Sequence, residues 1–110
     1  MGMDVYSKDK LQYFRATIWS WRPICYVMID AGFEVPESWY FNDGSGLDSP
    51  QECKALSSMV QKWLDDRPDM NIFSCEDIVR NDGSKPYRVA KDHIQEWCEF
   101  LNEADGFSIF

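Results

Sequence analysis

Apolar residues recur every three to four positions between Cys53 and Leu64, at Cys53, Leu56, Met59, Val60, Trp63 and Leu64. That period builds one apolar stripe on an α-helix. Its start is marked by Ser49 as a cap, Pro50 at the first helical position and Glu52 completing an S-x-x-E capping box, so the pattern predicts a helix from Ser49 to about Asp65. A second stripe, Ala90, Ile94, Trp97, Cys98 and Leu101, predicts a helix that begins near Pro86 to Arg88 and ends near Ala104, with Gly106 stopping it. Pro23 to Ala31 is apolar almost all round and precedes Gly32, as a helix at the centre of a small bundle would be.

Weaker patterns fill the remainder. Leu11, Phe14, Ile18 and Trp21 fit helical spacing, which extends helix upstream of Pro23 with a break near Arg22. Ser74 to Asn81 reads as a further short helix, capped by Ser74 and closed by Gly83. The end segments MDVY and GFSIF read as extended and able to pair as a two-stranded ribbon. The fold expected from these patterns is mainly α, with α+β as its variant: three to five helices in a single domain spanning residues 1–110.

Composition supports a folded chain. Of 110 residues, 45% are hydrophobic and 15% aromatic, with five Trp, against the low hydrophobicity and scarce aromatics of disordered segments. At this length a domain buries roughly 65% of the surface its unfolded chain exposes. The formal charge is −8, and a chain that cannot neutralise phosphates is not expected to bind nucleic acid directly. No apolar run approaches the roughly 18 residues of a membrane span, and MGMDVYSKDK lacks an apolar signal core. The expected setting is the cytoplasm, with Cys25, Cys53, Cys75 and Cys98 as thiols.

Candidate chemistry is sparse. The cysteines form no C-x-x-C pair and there is one histidine, so no metal site and no cofactor are expected. NDGSGLD superficially suggests a calcium loop, but Leu47 occupies a ligand position and the glycine spacing is wrong. Both NDG triplets, at 42–44 and 81–83, read as turns. His93 with Cys98 or Cys25 is the one route to a thiol–imidazole pair, and residues five apart on a helix face different ways. No catalytic residue is assigned.

Two surfaces stand out instead. YFRATIWSWRPICY, Tyr13 to Tyr26, holds five aromatic rings and two arginines, and Arg15, Trp19, Trp21 and Arg22 suggest a recognition patch, because Trp, Tyr and Arg dominate interface hot spots. Tyr40, Asp43 and Asp48 would line a ligand pocket beside it. The aromatic excess fits a monomer core or a homodimer seam equally. Asp92, Glu96, Glu99 and Glu103, spaced four, three and four, align four carboxylates along one helical face. A helix repeats every 5.4 Å, close to the phosphate spacing, so this stripe could imitate a nucleic-acid strand toward a basic protein groove.

The MGMDVY start, the YFR to WRP aromatic block, NDGSGLD before a helix, and an acidic last helix followed by GF resemble a family of small uncharacterised bacterial and phage proteins. Ser7 and Ser20 depart from its pattern, which has a glycine and a tryptophan there. The resemblance implies a shared fold and a phage or prophage setting, and no activity. The expected function is therefore that of a small, acidic, tryptophan-rich protein that binds another protein, in a phage context as a modulator or inhibitor of a host or defence protein. The alternative is a small-molecule or nucleotide binder, or an enzyme, with a pocket near Arg15, Arg22, Tyr40 and Asp43.

Overall fold

In the computed structural model, which describes residues 2–79 and 86–110 and the side chains of 2–75 and 87–110, the chain is α+β rather than mainly helical. Among the described residues it runs β1 (Gly2–Ser7), β2 (Tyr13–Thr17), α1 (Ile18–Asp30), a 3-10 turn (Glu37–Tyr40), α2 (Pro50–Asp65), β3 (Ile72–Val79), β4 (Pro86–Ala90), α3 (Lys91–Glu103) and β5 (Phe107–Ile109). Three of these strands form an antiparallel sheet in the order β2-β1-β5, and β3 pairs with β4 as a separate antiparallel hairpin.

Three expectations need correction. Residues 13–17 form a strand, not helix: Phe14 and Ala16 are buried while Tyr13, Arg15 and Thr17 are exposed, an alternation of period two. Helix starts only at Ile18, where the Thr17 side chain caps it by accepting from the Ser20 N–H at 3.2 Å, and it runs on through Pro23. The expected helix Ser74 to Asn81 is strand as far as Val79, since Ser74 pairs with Arg88 across the hairpin rather than capping a turn. Its remainder, with Gly83 and the second NDG triplet, lies outside the described residues. Pro86 to Ala90 is also strand, so the last helix begins at Lys91.

The capping box held α2 to its expected bounds. Ser49 Oγ accepts from the Glu52 N–H at 3.2 Å and donates to Glu52 Oε1 at 3.0 Å, and Pro50 takes the first position. Helix α1 ends at Asp30, and Gly32 just beyond its cap turns the chain with a φ of +106°, which suits the one residue without a Cβ.

The end strands meet within the three-stranded sheet. Val5 pairs with Ile109 and Ser7 with Phe107. The far edge of β5 is covered by the NDGSGLD loop, with Phe107 N–H donating to Leu47 O at 2.8 Å, Ile109 N–H to Ser45 O at 2.8 Å and Gly44 N–H to Ile109 O at 2.7 Å. The first NDG triplet is thus the entry to a loop that lies along β5, and Gly44 turns there with φ +90°.

Beneath the sheet lies an aromatic core. Met3, Val5, Phe14, Phe107 and Ile109 point inward to meet Trp21, Ile24 and Met28 of α1 and Ile94, Trp97 and Leu101 of α3. Trp97 touches Phe14, Trp21, Phe100 and Phe107, with ring centroids 5.0 to 5.4 Å apart. Three of the buried tryptophans donate their indole N–H: Trp21 Nε1 to Trp39 O at 2.8 Å, Trp63 Nε1 to Asp30 Oδ2 at 2.6 Å and Trp97 Nε1 to Met28 Sδ at 3.4 Å. Helices α2 and α3 are joined by Ser57 Oγ donating to Cys98 O at 2.8 Å and by paired amides of Gln61 and Gln95.

Candidate functional site

The residues of the Trp-rich block separate in the fold, because neighbours in sequence sit on opposite faces of a strand or helix. Trp21 is a core residue, 2% exposed. Trp19 is 42% exposed and stacks on Tyr87 of β4, centroids 5.2 Å apart and rings 25° from parallel. One turn further along α1, Arg22 holds its guanidinium 5.6 Å from the Tyr40 ring and 5.8 Å from the Tyr87 ring. The outer face of α1 therefore carries Trp19, Arg22 and Tyr26, flanked by Tyr40 of the 3-10 turn and Tyr87 of the hairpin. A cavity of 290 Å³ opens there, lined by Arg22, Tyr26, Glu37 and Tyr40. Farther along, Tyr26 and Tyr40 share a second hollow with Ile29, Asp30 and Phe73.

Arg15 belongs elsewhere. On the outer face of the sheet, its guanidinium lies 3.8 Å from Asp4, which also accepts from the Tyr13 hydroxyl. Asp43 and Asp48 serve the loop along β5: the Ser45 hydroxyl, together with the Ser45 N–H that donates to Asp43 at 3.0 Å, holds the Asp43 carboxyl below the usual range, and Asp48 pairs with Lys8 at 3.6 Å. The cavity at Arg22 is thus not lined by Arg15, Asp43 or Asp48.

The acidic stripe is as spaced. Asp92, Glu96, Glu99 and Glu103 are all exposed on α3. Glu96, Glu99 and Glu103 form one wall of a groove of 460 Å³ whose other wall is β2, with Phe14 and Phe100 between them. His93, also on α3, has its Nε2 2.9 Å from Arg15 O and its ring 5.0 Å from Phe14. A hydrogen bond to a carbonyl requires Nε2 to carry the proton, so His93 ties α3 to β2 rather than serving a thiol.

Burial quenches the thiols themselves. It pushes Cys53 up to about 11 and Cys98 up to about 12, and raises Cys25 further, while Cys75 is buried in β3. Thiolates, the reactive form, are scarce at neutral pH under such shifts. We expect Cys25, Cys53 and Cys98 to resist iodoacetamide in the native protein and to alkylate fully in guanidinium; mass spectrometry of peptides counts the modified sites. Rapid native alkylation of Cys98 would show that the α2–α3 contact opens readily. Among the described residues, no group of three or more His, Cys, Asp or Glu is placed to hold a metal ion, and no helix is long and apolar enough to cross a membrane.

Two members of the aromatic face were missed in the sequence. Tyr26 follows Arg22 by four and Trp19 by seven, so helical spacing alone would have found it had the helix been started at Ile18. Tyr87 arrives from the hairpin, and nothing in its local sequence points to Trp19. No family model, no curated protein and no solved structure matches this chain.

Proposed function

We propose that this chain works by binding another protein, and that the Trp19–Arg22 face of α1 is part of the contact. The observation that carries this reading is the stacked Trp19–Tyr87 pair with the Arg22 guanidinium set against Tyr87 and Tyr40. An exposed indole fixed by a neighbouring ring loses little entropy when a partner covers it, and arginine on aromatic faces adds a charged donor to the same surface. Such residues carry most of the energy of protein interfaces. The resemblance to small bacterial and phage proteins makes a host or defence protein the partner class to test first, with this chain as its modulator or inhibitor.

Affinity capture from bacterial lysate with the wild type, Trp19→Ala and Arg22→Ala is the test. A protein retained by the wild type and reduced at least tenfold by either variant is the expected result, equal to about 1.4 kcal/mol at the interface. Retention that both variants leave unchanged contradicts this face.

The second reading, a small-molecule or nucleotide binder or an enzyme, draws on the 290 Å³ cavity at Arg22 and Tyr40. A ligand at 100 times its dissociation constant adds about 2.7 kcal/mol to stability. A thermal-shift screen with nucleotides and metabolites distinguishes it: a shift abolished by Arg22→Ala moves the assignment to the cavity.

A further inference from the structure

We propose that the groove between β2 and α3 takes an extended, lysine- or arginine-rich segment of a partner protein as a fourth strand on the free edge of the sheet. This rests on the protein-binding reading and adds to it a second, chemically defined surface.

The hydrogen-bond register decides which backbone groups are available. Ser7 N–H donates to Gln12 O at 3.0 Å, and on β1's other side Asp4 and Phe110 exchange both of their bonds. In an antiparallel pair such bonds alternate. Val5 and Phe14 therefore form a bonded pair, while Asp4 opposite Arg15 and Tyr6 opposite Tyr13 do not. The Tyr13 and Arg15 amides consequently point out of the sheet, along an edge on which, among the described residues, no further strand sits. The two edges differ: β5 is covered by residues 44–47, whereas along β2, among the described residues, the Arg15 carbonyl alone is engaged, by His93. A strand edge left open invites pairing by another extended segment.

Charge selects the occupant. Glu96, Glu99 and Glu103 face β2 across the groove, and among the described residues no salt bridge engages them. Arg15, which also lines the groove, is turned to Asp4. From Glu96 to Glu103 the helix advances about 10 Å at 1.5 Å per residue, and the extended stretch from Gln12 into β2 as far as Arg15 spans about 10 Å at roughly 3.4 Å per residue. An added strand shows alternate side chains about 6.8 Å apart on one face, so two successive basic residues of that strand fit the row of glutamates. Phe14 and Phe100 at the groove's base accept the aliphatic stems of those side chains.

The experiment uses the synthetic peptide acetyl-KTKTKTK-amide, its copy with alternate backbone nitrogens methylated, and acetyl-ETETETE-amide. Binding to the full chain is followed by amide hydrogen exchange and nitrogen–proton NMR. The expected result is that the lysine peptide slows exchange of the Tyr13 and Arg15 amides, that methylation abolishes this protection with charge unchanged, and that the glutamate peptide does nothing. Glu99→Lys, an exposed change whose fold is checked by circular dichroism, should weaken binding at least tenfold, and Trp19→Ala should leave it unaltered. Equal binding of the methylated peptide would reduce the groove to a nonspecific acidic surface and overturn the strand. No protection by the lysine peptide at millimolar concentration overturns it too. Either failure leaves the α1 face standing, because capture through Trp19 and Arg22 is read independently.

Discussion

Trp97→Ala is expected to be the most damaging of the tryptophan replacements, lowering stability by about 3–5 kcal/mol. Its ring is fully buried and contacts four other rings, from β2, α1, α3 and β5, with Trp21 and Phe107 meeting it edge-on. Alanine would leave a void in a region where those elements converge, and close-packed rings cannot collapse to fill it without leaving their rotamers. Domains of this size hold about 5–15 kcal/mol in total, so the variant should melt at least about 12 °C lower. Trp19→Ala makes the comparison informative. Losing one stacked pair at the surface should cost about 0.5–1.5 kcal/mol, so the two variants separate clearly in a thermal melt. A Trp19→Ala melt as low as that of Trp97→Ala would mean that Trp19 belongs to the core and not to a recognition face.

Gly46→Ala is the second large effect. A Cβ built at Gly46 would stand 2.0 Å from Phe107 O and 2.7 Å from its carbonyl carbon, both backbone atoms of β5. Neither can move alone, because the flanking bonds Phe107 N–H to Leu47 O and Ile109 N–H to Ser45 O fix the loop against the strand. The methyl group must lift residues 44–47 off β5, breaking those bonds and baring the strand's edge. Overpacking of this kind costs about 3 kcal/mol or more. Gly44→Ala is the control: Gly44 has φ +90°, but an added Cβ would meet only the Phe110 ring at 3.5 Å, and left-handed strain alone costs roughly 1–2 kcal/mol. Denaturant melts should therefore rank Gly46→Ala below Gly44→Ala, although backbone conformation by itself predicts the reverse. The opposite order would show that the loop does not clasp β5 as described.

Local chemistry made the helices legible where it was unambiguous. Ser49, Pro50 and Glu52 specify a helix start through hydrogen bonds made within four residues, and α2 begins there. Gly32 is where α1 gives way to the loop. Before Ile18 the pattern misled, because Leu11 and Phe14 continue the helical spacing of Ile18 and Trp21 while the strand that forms at 13–17 buries only Phe14 and Ala16. A strand of five residues gives too few alternations to outvote a coincidence of spacing, and its stability comes from β1, whose pairing no local window contains. Ser74 and Pro86 misled similarly, as cap and first-turn residues that the hairpin uses in strands.

The candidate site divides along the same line. On one helix, residues separated by four and three positions share a face, so the Glu96, Glu99 and Glu103 row was readable. Trp19 and Trp21 are separated by about 200° around a helix, which sends one outward and the other into the core; grouping them as one patch followed from treating sequence proximity as spatial proximity. Tyr87 over Trp19 and β2 opposite the glutamates are tertiary contacts, which only the fold supplies.

Whether the outer face of α1 contacts a protein is decided by placing p-benzoylphenylalanine at position 19 and, separately, at the exposed position 54 on α2, then irradiating bacterial cells that express each form. One discrete covalent adduct is expected from position 19, absent from position 54 and lost when Arg22→Ala is added. Adducts that are identical from both positions, or none from position 19, would contradict that contact.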